Sequence, residues 1–421
     1  MGHTVGLAVL AAVFLLGTIR PINMGALALG AAFVVGLTVY GSNADDIAAG
    51  FPASMLIVLV GVTYLFALAT RNGTVDWLVD AAVRMVQGRI GLIPWVMFLV
   101  PCALTSIGSA TPSAVAVMVP IALKFARQYR ISEAMTGVMV IQGATAGGFS
   151  PLGIYGIVVN GLVGRVPPLA LFAGTFTACL LVAGVAYVRY SGFAPRVPDP
   201  EPAGGGGAGG GGATRTVVKP AQRLTPRMVL TLCGILTLVL GALLAGLDVG
   251  FAAITVVAVL GLVHPEDGKA AAGDIAWGTV LLICGIITYI ALLQRMGAID
   301  WLGARIAGIN APLLAALFVC VIGAVVSAFA STTAFLGAVL PMAAPFLGGG
   351  EVGTVGLVVA VAVSTSVVDC SPYSTMGALT VANAGESTRD GVFRSLMRWG
   401  LTLMLVAPVL AWGLLVLPGS W

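Results

Sequence analysis

The sequence predicts an all-α integral membrane protein, with about ten transmembrane helices plus two re-entrant hairpins in two inverted-topology repeats. Composition is the first reason: 59% of the 421 residues are hydrophobic and 9% charged, against roughly 25% charged residues in an ordinary soluble domain. So few charges cannot clothe a water-soluble surface of this size. Recurrent apolar runs of about 17–25 residues, long enough to cross a hydrocarbon core about 30 Å thick, are the second. Internal duplication is the third.

The duplication shows when the sequence is shifted by 224 positions. Gly61, Ala67, Leu68, Arg71, Gly73, Asp76, Trp77 and Leu78 then fall on Gly285, Ala291, Leu292, Arg295, Gly297, Asp300, Trp301 and Leu302. Eight of the eighteen positions from 61 to 78 are identical, far more than unrelated segments share. Downstream, with a slip of two or three residues, Ser109-Ala-Thr111 meets Ser331-Thr-Thr333, Pro120 meets Pro341, and Ser150-Pro151 meets Ser371-Pro372. Residues 191–225 separate the halves and contain Ala203-Gly-Gly-Gly-Gly-Ala-Gly-Gly-Gly-Gly-Ala213, a flexible tether by composition. The chain divides into an N-terminal transmembrane repeat (1–190), a Gly-rich linker (191–225) and a C-terminal inverted repeat (226–421).

Each half reads as the same series. Spans at 4–19, 23–40 and 52–70 precede an amphipathic segment at 74–88, whose apolar positions 75, 78, 79, 82, 83 and 86 follow helical spacing and place it on the membrane surface. The first span lacks a basic leader and a cleavage site, so it reads as retained rather than as a signal peptide. Two apolar arms, 91–106 and 112–126, flank Ser106-Ile-Gly-Ser-Ala-Thr-Pro112. Each is about 24 Å long, marginal for a crossing, and together they read as a re-entrant hairpin. A span at 134–163, interrupted at Gly147–Pro151, and another at 167–188 complete the half. The second half repeats this with spans at 227–246, 249–263 and 276–294, a surface helix at 298–309 and a hairpin at 312–347. An interrupted span at 352–384 and a last one at 396–417 follow.

Leaving the hairpins aside, each half crosses five times, so the second half enters from the opposite side, the arrangement of many alternating-access carriers. If odd-numbered spans end in the cytoplasm, seventeen of the twenty lysines and arginines lie inside, with Arg165, Arg295 and Arg305 outside. This obeys the positive-inside rule. It predicts a multi-pass protein of the plasma (inner) membrane with a cytoplasmic linker and both termini outside. The repeated Arg71/Asp76 and Arg295/Asp300 pairs read as interfacial anchors and local ion pairs.

Non-helical backbone at membrane depth survives only where protein or a water-filled cavity satisfies it. The sequence offers four such places. The hairpin turns carry Ser106, Ser109 and Thr111, then Ser331, Thr332 and Thr333; the span breaks carry Gly147, Gly148, Ser150 and Pro151, then Asp369, Ser371, Pro372 and Ser374. Broken helices present amides that favour anions and carbonyls that favour cations. A single Ser or Thr in a membrane helix commonly bonds back to its own preceding turn. Here polar clusters coincide with Gly or Pro breaks and recur in both halves, which points to binding. Asp369 is the one acidic residue placed deep in the membrane, where carboxylates are costly and usually functional; it could neutralise sodium or carry a proton. The six cysteines (Cys102, Cys179, Cys233, Cys284, Cys320, Cys370) lie scattered in apolar segments, without metal-ligand spacing. No basic run with interleaved aromatics suggests nucleic acid, and no Ser/His, Asp/Asp or HExxH constellation at membrane depth suggests an enzyme.

Ser331-Thr-Thr-Ala-Phe-Leu-Gly-Ala-Val-Leu-Pro341 resembles the Ser-Asn-Thr hairpin motif of divalent-anion/sodium symporters in the ion transporter superfamily. Ser109-Ala-Thr-Pro-Ser-Ala-Val-Ala-Val-Met-Val-Pro120 resembles the partner motif, and Gly147-Gly-Phe-Ser-Pro-Leu-Gly153 the glycine-rich break after it. The N-terminal half looks most like malonate/dicarboxylate carriers of the MatC type. The resemblance implies elevator-type carriage of a carboxylate by a homodimer, with no cofactor beyond Na+ as a coupling ion. It implies that Ser109, Thr111, Ser331, Thr332, Thr333, Ser150 and Ser371 contact substrate or sodium, with Gly148, Asp369 and Ser374 at cation-coupling positions. The motif asparagine is replaced by Ala110 in one half and Thr332 in the other. The expected function is therefore secondary transport of a malonate- or C4-dicarboxylate-class anion coupled to Na+ or H+. The alternative on the same fold is a cation/proton antiporter or oxyanion exporter.

Overall fold

A computed structural model of the chain describes residues 2–20, 22–85, 90–163, 166–190, 224–299, 301, 312–329, 332–333, 335–337, 340 and 353–418. They form helices and turns, with no strand among the described residues. The first half runs α1 (Gly2–Ile19), α2 (Met24–Val39), α3 (Ala44–Ala48), α4 (Ala53–Arg71), α5 (Thr74–Met85), α6 (Ile93–Ser106), α7 (Thr111–Gln128), α8 (Glu133–Gly148), α9 (Ile154–Val163) and α10 (Pro168–Arg189). The second runs α11 (Pro226–Leu244), α12 (Val249–Val263), α13 (Pro265–Gly273), α14 (Trp277–Arg295), α15 (Pro312–Phe329), α16 (Thr354–Ser366), a 3₁₀ turn (Val367–Cys370), α17 (Thr375–Asn383) and α18 (Arg389–Ala411). Among the described residues five segments are long and apolar enough to cross a membrane: α4, α10, α14, the broken Thr354–Asn383 and Arg389–Val416, with shorter apolar helices beside them. The chain is a multi-pass membrane protein.

Polar caps set several boundaries. The Asn23 side chain accepts from Gly25 and Ala26 amides at 3.0 and 3.1 Å and starts α2. Asp248, 225 positions on, accepts from the Phe251 amide at 2.9 Å and starts α12. Gly73 and Gly297 follow the C-caps of α4 and α14 with φ of 81° and 71°, the left-handed closure that glycine permits.

The structure departs from the sequence expectation in five places. Two short helices, α3 and α13, occupy stretches read as loops. Asn43 and Asp46 cap each other's amides at the start of α3, and Pro265, Glu266 and Asp267 fill the first turn of α13, where proline and acidic side chains suit the helix end. The last span begins at Arg389 rather than 396, because Arg394 and Arg398 bond back to carbonyls of their own helix and extend it beyond the apolar stretch. At 18 residues α7 is longer than the arm expected, about 27 Å at 1.5 Å per residue. Arg71 does not pair with Asp76: its Nε donates to Asp274, ahead of α14. That guanidinium holds the Asp274 carboxyl below its ordinary range. The linker up to residue 223, Asp300, Ser331, most of the second surface helix and most of the second hairpin's return arm lie outside the described residues.

The helices of the two halves pack in crossed pairs. α2 of the first half lies on α14 of the second, and α4 lies on α12. A Cβ on Gly25 would fall 1.9 Å from the Leu281 carbonyl oxygen, and one on Gly285 2.0 Å from that of Gly25. Their counterparts behave alike: a Cβ on Gly61 would come 2.8 Å from the Gly250 oxygen, and one on Gly250 2.8 Å from the Val58 nitrogen. Such backbone-to-backbone approach is how small residues join membrane helices. The short helices follow suit. Arg71, at the end of α4, reaches Asp274 just past α13, and Arg295, at the end of α14, donates to the Asp46 carbonyl in α3.

Three hydrophobic cores result. One holds α6, α7, α8, α10, α15, α16 and α18. The second is built on α4 and α12, the third on α1, α2 and α14. Both hairpins and both broken spans thus contribute to the first core, while the crossed pairs make up most of the other two; Ala110 of the first tip and Ile154, Ile157 and Val158 of α9 pack into the core of α4 and α12.

Candidate functional site

The two span breaks fold alike. α8 ends at Gly148 and α9 begins at Ile154; the 3₁₀ turn ends at Cys370 and α17 begins at Thr375. Across a shift of 221 positions Ser150 meets Ser371, Pro151 meets Pro372 and Gly156 meets Gly377. A Cβ on Gly156 would lie 2.0 Å from the Ser150 oxygen, and one on Gly377 1.9 Å from the Ser371 oxygen. Glycine one turn into the restarting helix lets it close onto the break in both halves.

Each break is tied by a serine. Ser150 Oγ donates to the Ser106 carbonyl at 2.8 Å and accepts from the Gly153 amide at 2.9 Å, fastening the break to the first hairpin tip. Ser374 Oγ donates to the Asp369 and Ser371 carbonyls at 2.5 and 2.8 Å and accepts from the Gly377 amide at 3.1 Å as the N-cap of α17. Both hydroxyls are engaged with backbone. Ser371 Oγ accepts from the Tyr373 amide at 3.3 Å.

The first hairpin turns at Gly108, where φ is 103° and a Cβ would collide with Val62. Ser109 is fully buried, its hydroxyl on the Ala110 carbonyl at 3.3 Å. Thr111 opens α7 with its Oγ1 buried and unpartnered among the described residues. That oxygen lies 2.9 Å from where a Cβ on Gly148 would stand, so the tip and the break face each other. In the second half Thr332 Oγ1 donates to Asp369 at 2.7 Å (Oδ1) and 2.9 Å (Oδ2), and Ser327 Oγ lies 2.7 Å behind it. Asp369 is 2% exposed. Among the described residues only Glu133 shares its status as a buried ionisable carboxylate, and no lysine or arginine is buried.

The structure brings Thr111, Gly148, Thr333 and Asp369, with Thr332 joined through Asp369, around one residue the sequence reading passed over, Tyr155. Its phenol lies beside the Thr111 and Thr333 hydroxyls and within the field of Asp369. Gln142 was also missed. Its Nε2 donates to the Val367 carbonyl and to Cys370 Sγ, both at 2.9 Å, joining α8 to the second break, while its Oε1 is buried without a partner among the described residues. The signal was available: an amide side chain in mid-helix, where the residues after Glu133 are otherwise small or apolar and all are buried. Ser331 lies outside the described residues.

The first hairpin is clamped against α8. Gly143 and Gly147, four apart, would place Cβ atoms 2.0 Å from the Phe98 and Cys102 oxygens of α6. The small-xxx-small spacing lets α6 and α8 touch through their backbones.

Buried breaks facing polar hairpin tips within a multi-pass bundle define a membrane protein with a transporter's fold. The chain resembles the solved YdaH transporter of Alcanivorax borkumensis with a TM-score of 0.55, over 92% of this chain and 96% of that one, at 15% identity. Residues 1–148 match the family described as dicarboxylate carrier protein MatC N-terminus. No curated protein sequence matches the chain.

Proposed function

We propose that the chain is a secondary active transporter. It carries a small carboxylate, of the malonate or C4-dicarboxylate class, across the plasma membrane by elevator-type alternating access coupled to Na+ or H+. The observation that carries this reading is the partition of the cores: the hairpins and broken spans pack chiefly in one and the crossed pairs in two others, with Ala110 of the first tip and Ile154, Ile157 and Val158 of α9 reaching across to the core of α4 and α12. A unit holding the site can then move against a frame of crossed helices, which also offers the face for a homodimer. The substrate class rests on the match of residues 1–148 to the dicarboxylate carrier family.

Distant contacts support the inverted arrangement. Tyr187 donates to the Gly91 carbonyl at 3.1 Å, and Trp412 to that of Leu313 at 2.7 Å. The first contact joins ends assigned inside, the second ends assigned outside. The Arg71–Asp274 and Arg295–Asp46 contacts likewise each join ends on one side. The exchanger alternative draws on Asp369, a buried carboxylate with no buried cationic side chain among the described residues.

Reconstitution in proteoliposomes tests the reading. Labelled malonate and succinate should enter under an imposed sodium or proton gradient. Sodium-for-proton exchange with neither acid taken up would replace the carboxylate reading with the exchanger.

A further inference from the structure

We propose that Asp369 couples transport to a single proton, and that the break over 367–374 does not hold sodium. The inference rests on the carrier reading above and names its coupling ion.

A sodium ion in a dry site must exchange its hydration shell for protein oxygens. Four of the five backbone carbonyls from Val367 to Ser371 already accept from protein donors. Val367 is held by Gln142, Val368 by the Ser371 amide, and Asp369 and Ser371 by the Ser374 hydroxyl. Ser374, the hydroxyl best placed by sequence to ligate a cation, spends its proton on those carbonyls and receives the Gly377 amide. Among the described residues the group in contact with the Asp369 carboxylate is a hydrogen-bond donor, Thr332, with Ser327 behind it; the unpartnered oxygens, Gln142 Oε1 and Thr111 Oγ1, belong to α8 and the first tip rather than to the break itself.

The same groups fit a proton. An ionised carboxylate only accepts, whereas a protonated one also donates. With Asp369 ionised, Ser327 donates to Thr332 and Thr332 to the carboxylate. When a proton from water binds an Asp369 oxygen, that O–H donates to Thr332 Oγ1. Thr332 turns its own hydrogen to Ser327 Oγ, where either atom can be the donor, and Ser327 turns to a carbonyl of its preceding helical turn. The Asp369–Thr332–Ser327 contacts keep their places while the donor direction along them reverses, and every proton is accounted for. The hydroxyl chain so carries the protonation state of the break into α15 and the tip of the second hairpin.

The first half carries no second site of this kind. Where the second half has Asp369 and Thr332, the equivalent positions are Gly148 and Ala110. The other titratable groups facing Asp369 are the Tyr155 phenol of α9, the Cys179 thiol of α10 and the neighbouring Cys370. Moving a bare carboxylate through the bilayer is costly, so the substrate-loaded unit crosses with Asp369 protonated, releases that proton with the substrate, and returns empty with the carboxylate held by Thr332. One carboxylate gives one proton per cycle.

The test uses the full chain in proteoliposomes without sodium, with labelled malonate and succinate and a pH-sensitive dye on the vesicle exterior. The expected result is acid-driven uptake with one proton consumed per substrate, unchanged when sodium is added. Asp369→Asn and Thr332→Val should lose the acid drive, while Thr332→Ser, which keeps the hydroxyl, should retain it. Uptake that requires sodium and moves no proton overturns the inference and leaves the carrier standing. Acid-driven uptake that persists in a folded Asp369→Asn protein also overturns it, because the proton then travels elsewhere. Absence of uptake for either acid under any gradient removes the carrier reading itself.

Discussion

Thr332 donates one hydroxyl to both oxygens of Asp369, at 2.7 and 2.9 Å, and the repeat positions of that pair are Ala110 and Gly148. Both partners are present in one half and both are absent from the other, as expected where either alone is unfavourable. Thr332→Ala leaves a buried carboxylate without its hydroxyl donor, a loss of about 1–3 kcal/mol or more for a charged group. Removing both partners is far cheaper. The double variant Thr332→Ala/Asp369→Gly, which copies the first half, should therefore lose less stability than the two single changes summed. Thermal unfolding of the four proteins in detergent completes the cycle. Additive losses would mean that the pair is not coupled.

The clamp between α6 and α8 should be intolerant of volume. At Gly143 the obstacle is the Phe98 carbonyl, which cannot rotate aside. Gly143→Leu should cost at least the ~1–3 kcal/mol typical of overpacking and reduce the yield of monodisperse protein. Gly184, with nothing within 4 Å of its Cβ position, is the control, and Gly184→Leu should behave as the parent in size-exclusion profile and unfolding temperature.

Much of this was legible in the sequence, because bilayer thickness and backbone satisfaction leave few choices. The run Val249–Val263 was read to the residue, and the break at Gly147–Pro151 followed from glycine and proline inside an apolar stretch. What escaped had competing local chemistry. α3 and α13 are short helices created by caps, Asn43 with Asp46 and Pro265 with two acids, where hydropathy is silent. Arg71 was assigned to Asp76 because sequence offers only neighbours, and the crossed packing supplied Asp274 instead. Within the site, Thr332 and Asp369 were both named, but their pairing depends on a contact between hairpin and break. Tyr155 resembled an ordinary helix residue until the halves came together, whereas the amide of Gln142 inside an apolar helix was a signal passed over.

Glu133 fastens the start of α8 to the turn before α18. Its Oε2 accepts from the Gly385 amide at 3.1 Å, its Oε1 from Thr388 Oγ1 at 3.0 Å, and Arg127 approaches at 3.5 Å. Glu133→Ala would strip an amide, a hydroxyl and a guanidinium of one acceptor. A loss of about 1.5–3 kcal/mol is expected from bonds to a charged group. Glu133→Gln, which keeps one carbonyl oxygen, should lose less. Thermal shift measurements on both variants check the order, and equal losses would assign the effect to charge rather than to the bonds.

Inverted repeats place equivalent loops on opposite sides of the membrane, and single cysteines can read this directly. Cys233 is the exposed native thiol among the described residues and is first changed to serine. Asp45 and Leu247 are exposed positions at ends assigned outside, and Arg20 and Lys269 at ends assigned inside. The Arg295–Asp46 and Arg71–Asp274 contacts tie each pair of ends into its own layer. Cysteine at 45 or 247 should react with a membrane-impermeant maleimide in intact cells. At 20 or 269 it should react only after permeabilisation. Labelling of 45 and 269 from the same side would break the five-crossing count of the first half or the entry of the second. The symmetry that relates Asp369 to Gly148 would then need a different axis.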